Sequence, residues 1–153
     1  VRLLQWDSNN SSALLLVRIK GIVKLAKVNL ADGEINILTD KKVNWAAISE
    51  NGQLIYSDHI DRFFRPGPLE DQAITALDGQ GGDNQRFLLK NNTIYGINNE
   101  FQLWSYNLNE NVFNIISQLP KNVDNLSDID KNQLLMTVRI SSRKEVVELT
   151  LSE

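Results

Sequence analysis

The residues with the most chemical potential sit in one short stretch, Ser57-Asp58-His59-Ile60-Asp61, followed by Arg62 and Arg65. His59 is the sole histidine of the chain. An Asp-His pair can serve general-base chemistry or bind a metal. One histidine does not make a His-rich zinc site, and no Ser-His-Asp arrangement follows from this spacing. The plainer reading of His59 is a loop residue closing a strand. A pH-sensing role would fall to it first. A second basic group is Arg139-Ile140-Ser141-Ser142-Arg143-Lys144. Either group could hold an anion or an acidic partner, and either could be a solvated hairpin tip. Asp78-Gly79-Gln80-Gly81-Gly82-Asp83-Asn84 offers oxygen ligands among glycines. It lacks the alternating acids and distal Glu of an EF-hand, so it reads as a connector. The candidate ligand or partner residues are therefore His59, Asp61, Arg62, Arg139 and Arg143. No catalytic residue, metal ligand or cofactor site is assigned.

Composition narrows the function classes. The chain has 153 residues, 42% hydrophobic and 23% charged, with a net charge of −3. Those fractions describe a globular domain, and the acidic balance argues against wholesale nucleic-acid contact. No apolar run approaches the roughly 20 residues of a membrane span, so this segment is expected to make no membrane contact. With zero cysteines, disulfides and thiol chemistry are excluded. The chain begins at Val1 without Met or a signal peptide, and is expected to be a piece of something longer.

The elements that must position these residues follow a period. Leu14, Leu54, Ile94 and Leu134 each open a short apolar run, and successive members are 40 residues apart. Each run follows a turn-like stretch such as Glu50-Asn51-Gly52 or Lys90-Asn91-Asn92. That is strand punctuation. A second register, Leu30, Leu69 and Leu108, repeats at 39 residues. Two registers of nearly equal period mark a repeat architecture.

Strands fill each unit. Unit 1 reads as Val1 to Asp7, Ala13 to Ile19, Val23 to Leu30 and Ile35 to Leu38, with Asp32-Gly33 as a hairpin turn. Unit 2 reads as Val43 to Ile48, Leu54 to His59, an irregular third strand interrupted by Pro66 and Pro68, and Ala73 to Leu77. Asn51-Gly52 is the chain's best two-residue hairpin signal. Unit 3 runs Arg86 to Leu89, Thr93 to Ile97, Phe101 to Tyr106 and Val112 to Ser117. Unit 4 has Leu126 to Ile129, Gln133 to Ile140 and Glu145 to Leu151. Lys121 to Lys131 is too rich in Asn and Asp to favour a helix. Trp6 and Trp45, 39 apart, are expected to pack in matching core positions.

Four strands in about 40 residues is the size of a β-propeller blade. The fold class is therefore all-β, a propeller segment of about four antiparallel four-stranded blades: about residues 1–41, 42–82, 83–121 and 122–153. The last blade stops where Gly33 stands in the first, so its outer strand is missing. Glu153 is expected to be the natural C-terminus, with the completing strand upstream. An open edge on unit 4 and an uncovered face on unit 1 predict a homodimer. The loops between second and third strands carry Arg62, Arg65, Arg139 and Arg143. In a propeller these loops share one face, and a ligand would bind there.

Asn51-Gly52-Gln53-Leu54-Ile55-Tyr56, and Leu103-Trp104-Ser105-Tyr106-Asn107-Leu108 followed by Val112 to Ile116, resemble the TolB-like propeller repeat. Leu119-Pro120 to Leu149 resembles the last blade in the periplasmic regions of membrane-anchored winged-helix regulators of the CadC/ToxR type. The Arg65-Pro66-Gly67-Pro68 stretch departs from the pattern. The resemblance implies a non-enzymatic sensory or protein-interaction module, periplasmic, tethered through a transmembrane helix to a DNA-binding domain. It carries over no functional residue, and its partner, protein or small ligand, is unspecified. The alternatives are part of a propeller-fold hydrolase and a purely structural domain.

Overall fold

The computed structural model describes residues 1–7, 11–81, 87–141 and 143–151. The chain forms two compact units, residues 1–78 and 79–153, each built of two antiparallel sheets. In every sheet the strands lie side by side in chain order. Blade 1 is β1 (Arg2–Asp7), β2 (Ser12–Ile19), β3 (Ile22–Asn29) and β4 (Ile35–Ile37). Blade 2 is β5 (Val43–Ile48), β6 (Leu54–Asp58), β7 (Phe63–Arg65) and β8 (Gln72–Ala73). Blade 3 is β9 (Leu88–Lys90), β10 (Thr93–Ile97), β11 (Gln102–Asn107) and β12 (Val112–Gln118). Blade 4 has three described strands, β13 (Val123–Asp130), β14 (Gln133–Ile140) and β15 (Arg143–Thr150). Among the described residues the helical content is one 3-10 turn, Thr75–Leu77.

The repeat is physical. Leu14, Leu54, Ile94 and Leu134 all start the apolar part of a second strand flanked on both sides. Leu14, Ile94 and Leu134 are fully buried, and the half-buried Leu54 packs on the same cluster as Leu14. The first strands of blades 1, 2 and 4 each carry a β-bulge. Three blades close in the same way: the N–H of Leu30, Leu108 and Leu151 donates to Ser11, Asn92 and Asn132 respectively, at 2.8, 2.9 and 2.7 Å. Leu69, the expected member in blade 2, is instead 98% exposed. It follows Pro66 and Pro68, which lack the N–H that a ladder needs.

Each unit has its own core. In the first, Leu14, Leu16 and Leu25 of blade 1 pack on Val43, Ala46, Tyr56 and Phe64 of blade 2. The bulge in β1 turns both Leu4 and Gln5 toward blade 2. There the Gln5 side chain donates to the Ile48 carbonyl at 3.0 Å and accepts the Ile48 N–H at 2.8 Å. In the second unit, Leu103 and Leu119 pack on Leu126, Ile129, Leu134 and Met136. An ion pair, Lys90 to Asp128 at 2.9 Å, joins blades 3 and 4.

Several expectations need correction. Trp6 and Trp45 do not share a register: Trp6 lies opposite Ala13, and Trp45 opposite Ser57. The β1–β2 ladder closes at Asp7–Ser12, two residues before Leu14, whereas the β5–β6 ladder closes at Leu54 itself. Leu14 therefore pairs with Gln5 nine residues back and Leu54 with Ile48 six back, and equal sequence spacing does not mean equal position. Trp6 is 60% exposed, whereas Trp45 is half-buried with its ring edge-on to Phe63 at 6.2 Å. Ala73 to Leu77 is not a strand, because pairing stops at Ala73 and the chain turns at Thr75. Asn51-Gly52 lies in a wider loop closed by Ser49 N–H to the Gln53 carbonyl at 2.9 Å. Among connections whose residues are all described, the two-residue ones fall at Lys20-Gly21, Asn91-Asn92 and Lys131-Asn132. Both Asn91 and Asn92 take positive φ, as a twist-matched turn requires. The Asp78 to Asn84 connector lies partly outside the described residues, as does the start of Arg86 to Leu89.

Candidate functional site

The Asp58 to Arg65 stretch runs from the end of β6 through the connection 59–62 into β7, with Asp61 at φ 60°, a left-handed turn position. The turn is organised from Asp58, which is buried. Its Oδ1 accepts the N–H groups of Ile60 and Arg62, both at 3.0 Å. Its Oδ2 accepts Arg62 Nε at 2.9 Å and Nη2 at 2.7 Å. The backbone closes the same turn through Asp58 N–H to the Arg62 carbonyl at 2.9 Å. Burial pushes the Asp58 carboxyl up, but the hydrogen bonds from Arg62 and Ile60, with the guanidinium charge, outweigh it and hold it below the ordinary value. Arg62 is therefore a turn staple, bidentate on its own strand end. His59 is exposed on the outside of this turn.

Beside the turn lies an aromatic and charged cluster. Tyr56 stacks on Phe64 with ring centroids 5.3 Å apart. Lys41 Nζ stands 4.7 Å and the Arg62 guanidinium 5.7 Å from the Phe64 centroid, within cation–π range. The buried Tyr56 hydroxyl donates to the Asp71 carboxylate, which also accepts Thr39 Oγ1 at 2.9 Å. Burial, together with the Asp71 carboxylate, pushes the Tyr56 phenol far above its ordinary value, so it stays a neutral donor. This network ties the β4–β5 connection, β6 and the β7–β8 connection together. It substitutes for ladder bonds that the proline-rich stretch cannot make.

In the second unit Arg139 donates to Asp124 at 3.1 Å, and Lys144 reaches the same carboxylate at 2.6 Å. Lys144, with Arg139 beside it, holds the Asp124 carboxyl below its usual range. Arg143 opens β15, is exposed, and faces Ile140 across the hairpin. The structure thus gathers His59, Asp61 and Arg62 in one turn, and Arg139 and Arg143 in one hairpin. Among the described residues no group of three or more His, Asp or Glu side chains is placed to hold a metal.

The outer strand expected to be missing from the last blade is missing beside β15 among the described residues. β3, β7 and β11 each have a fourth strand alongside, whereas no described strand lies along the outer side of β15. The Leu151 N–H points inward, donating to Asn132. By the alternation of an antiparallel ladder, the amides of Val146, Glu148 and Thr150 point outward. The missing fourth strand was the signal. The outer side of β15, along which no described strand lies, belongs to an eight-residue strand bearing Arg143, Lys144, Glu145 and Glu148.

No family model and no curated protein matches the sequence. Solved structures do match in three dimensions. TolB from Acinetobacter baumannii superposes over 95% of this chain with a TM-score of 0.68 and 13% identity. A protein of unknown function from Bacteroides thetaiotaomicron matches over 97% with a TM-score of 0.59 and 12% identity. A puromycin hydrolase matches over 97% with a TM-score of 0.61 and 11% identity. The chain has a TolB-like β-propeller fold. It spans 39% of the TolB chain, 41% of the Bacteroides chain and 26% of the hydrolase. At these identities the likeness concerns the fold alone, because unrelated functions share a propeller scaffold. Among the described residues no helix is long and apolar enough to cross a membrane.

Proposed function

We propose that this chain is a non-enzymatic protein-interaction module that receives an extended segment of a partner on the β15 edge. In this reading it is the sensory periplasmic part of a membrane-anchored winged-helix regulator. The carrying observation is that no described strand lies along the outer side of the eight-residue β15. An exposed edge binds a strand through main-chain hydrogen bonds, and side-chain contacts at alternate positions supply selectivity. The four charges along β15 discourage pairing with a second β15, since edge charges are a standard guard against self-association. A second consideration points the same way. Arg62 and Arg139 are each held by an aspartate of their own blade. The regulator context rests on the sequence resemblance of the last blade.

A hydrolase reading has one supporting finding, the likeness to the puromycin hydrolase. One experiment separates the two. The chain is expressed as the periplasmic part of a membrane-anchored winged-helix reporter, alongside a Glu148→Pro variant that loses an outward amide. The expected result is reporter output abolished by Glu148→Pro while the purified variant retains its circular dichroism spectrum. Unchanged output from a folded variant contradicts the edge reading. Turnover of aminoacyl p-nitroanilides by the isolated chain favours the hydrolase.

A further inference from the structure

Two cations stand over one aromatic ring at the end of blade 2 where β5 begins, and we propose that together they hold a carboxylate of an acidic peptide. Lys41 Nζ lies 4.7 Å and the Arg62 guanidinium 5.7 Å from the Phe64 centroid. Tyr56 stacks on Phe64 at 5.3 Å with 20° between the rings, so it covers one ring face and leaves the other to the cations. Both cations come from connections that meet at this end. Lys41 precedes β5, Arg62 precedes β7, and Val43 at the start of β5 pairs with Asp58. A ring face attracts a cation. Two cations gathered on one ring repel each other unless negative charge sits with them.

The protein's own carboxylates meet that need only in part. Asp40, next to Lys41 in the chain, is taken by Lys24 at 2.6 Å. Asp71 accepts the Tyr56 and Thr39 hydroxyls. Asp58 alone reaches the pair, and it binds one edge of Arg62, through Nε and Nη2. Among the described residues, Lys41 Nζ has no anionic partner and Arg62 Nη1 has no acceptor. An uncompensated ammonium and the free edge of a guanidinium are thus gathered at one ring.

The site is built before a ligand arrives. Buried Asp58 clasps the guanidinium, so Arg62 gives up little freedom on binding. Phe64, 7% exposed, is an apolar floor that keeps water from one side and strengthens attraction to an anion. A carboxylate offers one oxygen to the ammonium and one to the guanidinium. A phosphate dianion fits less well, because Asp58 on the same guanidinium repels a second negative charge. Ile60, 58% exposed on the same turn, offers an apolar contact to the residues flanking that carboxylate. This site and the β15 edge do not depend on each other.

Proton–nitrogen nuclear magnetic resonance of the whole chain, titrated at constant ionic strength, tests this. The probes are an oligoglutamate peptide, sodium acetate, sodium phosphate and sodium chloride. Oligoglutamate and acetate should shift the Arg62 Nε–H and the Lys41 and Phe64 amide resonances saturably. The peptide should half-saturate about tenfold below acetate, since its linked carboxylates raise the local concentration. Phosphate should bind no more tightly than acetate, and chloride should give no saturable shift. Lys41→Gln should lose the response with an unchanged circular dichroism spectrum. Lys42→Gln, one residue further on, should keep it. No saturable shift with acetate or the peptide, a response matched by chloride, tighter binding of phosphate than of acetate, a response unchanged in Lys41→Gln, or one lost in Lys42→Gln would overturn the inference.

Discussion

Replacing Asp58 by Asn tests whether the β6–β7 turn is a staple or a free binding loop. The wild-type carboxylate accepts two backbone N–H groups on Oδ1 and two N–H groups of the Arg62 guanidinium on Oδ2. An asparagine oxygen keeps the two backbone bonds but loses their charge. Its NH₂ then faces the guanidinium, donor against donor. Hydrogen bonds to a charged group contribute about 1.5–3 kcal/mol. Arg62 is 53% exposed, so its share is discounted to the lower limit, about 1.5 kcal/mol. Weakening of the two backbone bonds adds about 1 kcal/mol. The expected loss is therefore about 2–3 kcal/mol, or roughly 4–10 °C in Tm for a chain of this size. The pH dependence carries a sign. The folded Asp58 carboxyl titrates below its ordinary value. Its contribution is fully present above the unfolded value of about 4 and is lost as pH falls through the folded value. Thermal unfolding followed by near-ultraviolet circular dichroism should show the wild-type advantage at pH 7 shrink in acid. A gap under about 0.5 kcal/mol at pH 7, or one that persists unchanged at low pH, refutes the staple.

Other variants probe the rest of the fold. A Cβ on Gly96 would stand 2.2 Å from Trp104 Cζ2 and 3.0 Å from Phe87 Cδ1. Gly96→Ala must displace a fully buried indole whose N–H donates to the Gln80 carbonyl at 2.9 Å. The expected cost is about 3 kcal/mol, from overpacking plus the strained bond, measured by urea unfolding. Gln5→Leu removes both contacts to Ile48. It should cost about 2 kcal/mol and speed amide exchange at Ile48. Tyr56 is one of three tyrosines, and ultraviolet titration should show it resisting ionisation well above pH 10 while the fold persists. Because its folded value is raised, its stabilisation is present below about pH 10 and fades above it, and Tyr56→Phe should flatten that decline.

The repeat was legible because its signal is hydrophobic and periodic. Leu14, Ile94 and Leu134 are buried for the reason the spacing suggested, as central members of second strands. The three-stranded last blade was legible from Gly33, by counting three periods of 40 residues. Spacing failed where hairpin ladders close at different points of the repeat. Trp6 and Trp45 sit 39 apart, yet the β1–β2 ladder starts two residues earlier in its second strand than the β5–β6 ladder does, which shifts their registers. The candidate turn was found through His59 and Arg62, but its organiser is Asp58. No sequence pattern shows that Asp58 is buried and clasped by the arginine four residues on. The Thr39, Tyr56 and Asp71 network joins residues up to 32 positions apart. The glycine slot at Gly96 exists only because the ladder sets Trp104 opposite it. Such pairings depend on register, which composition does not encode.

Amide hydrogen exchange along β15, read residue by residue by nuclear magnetic resonance, bears most directly on the interaction edge. With β14 on one side and no described strand on the other, the amides of Glu145, Val147 and Leu149 should exchange slowly. Those of Val146, Glu148 and Thr150 should exchange near the rate of an open chain. Uniform protection along the strand would mean the edge is already occupied, and uniformly fast exchange would mean β15 does not form; either result contradicts the account.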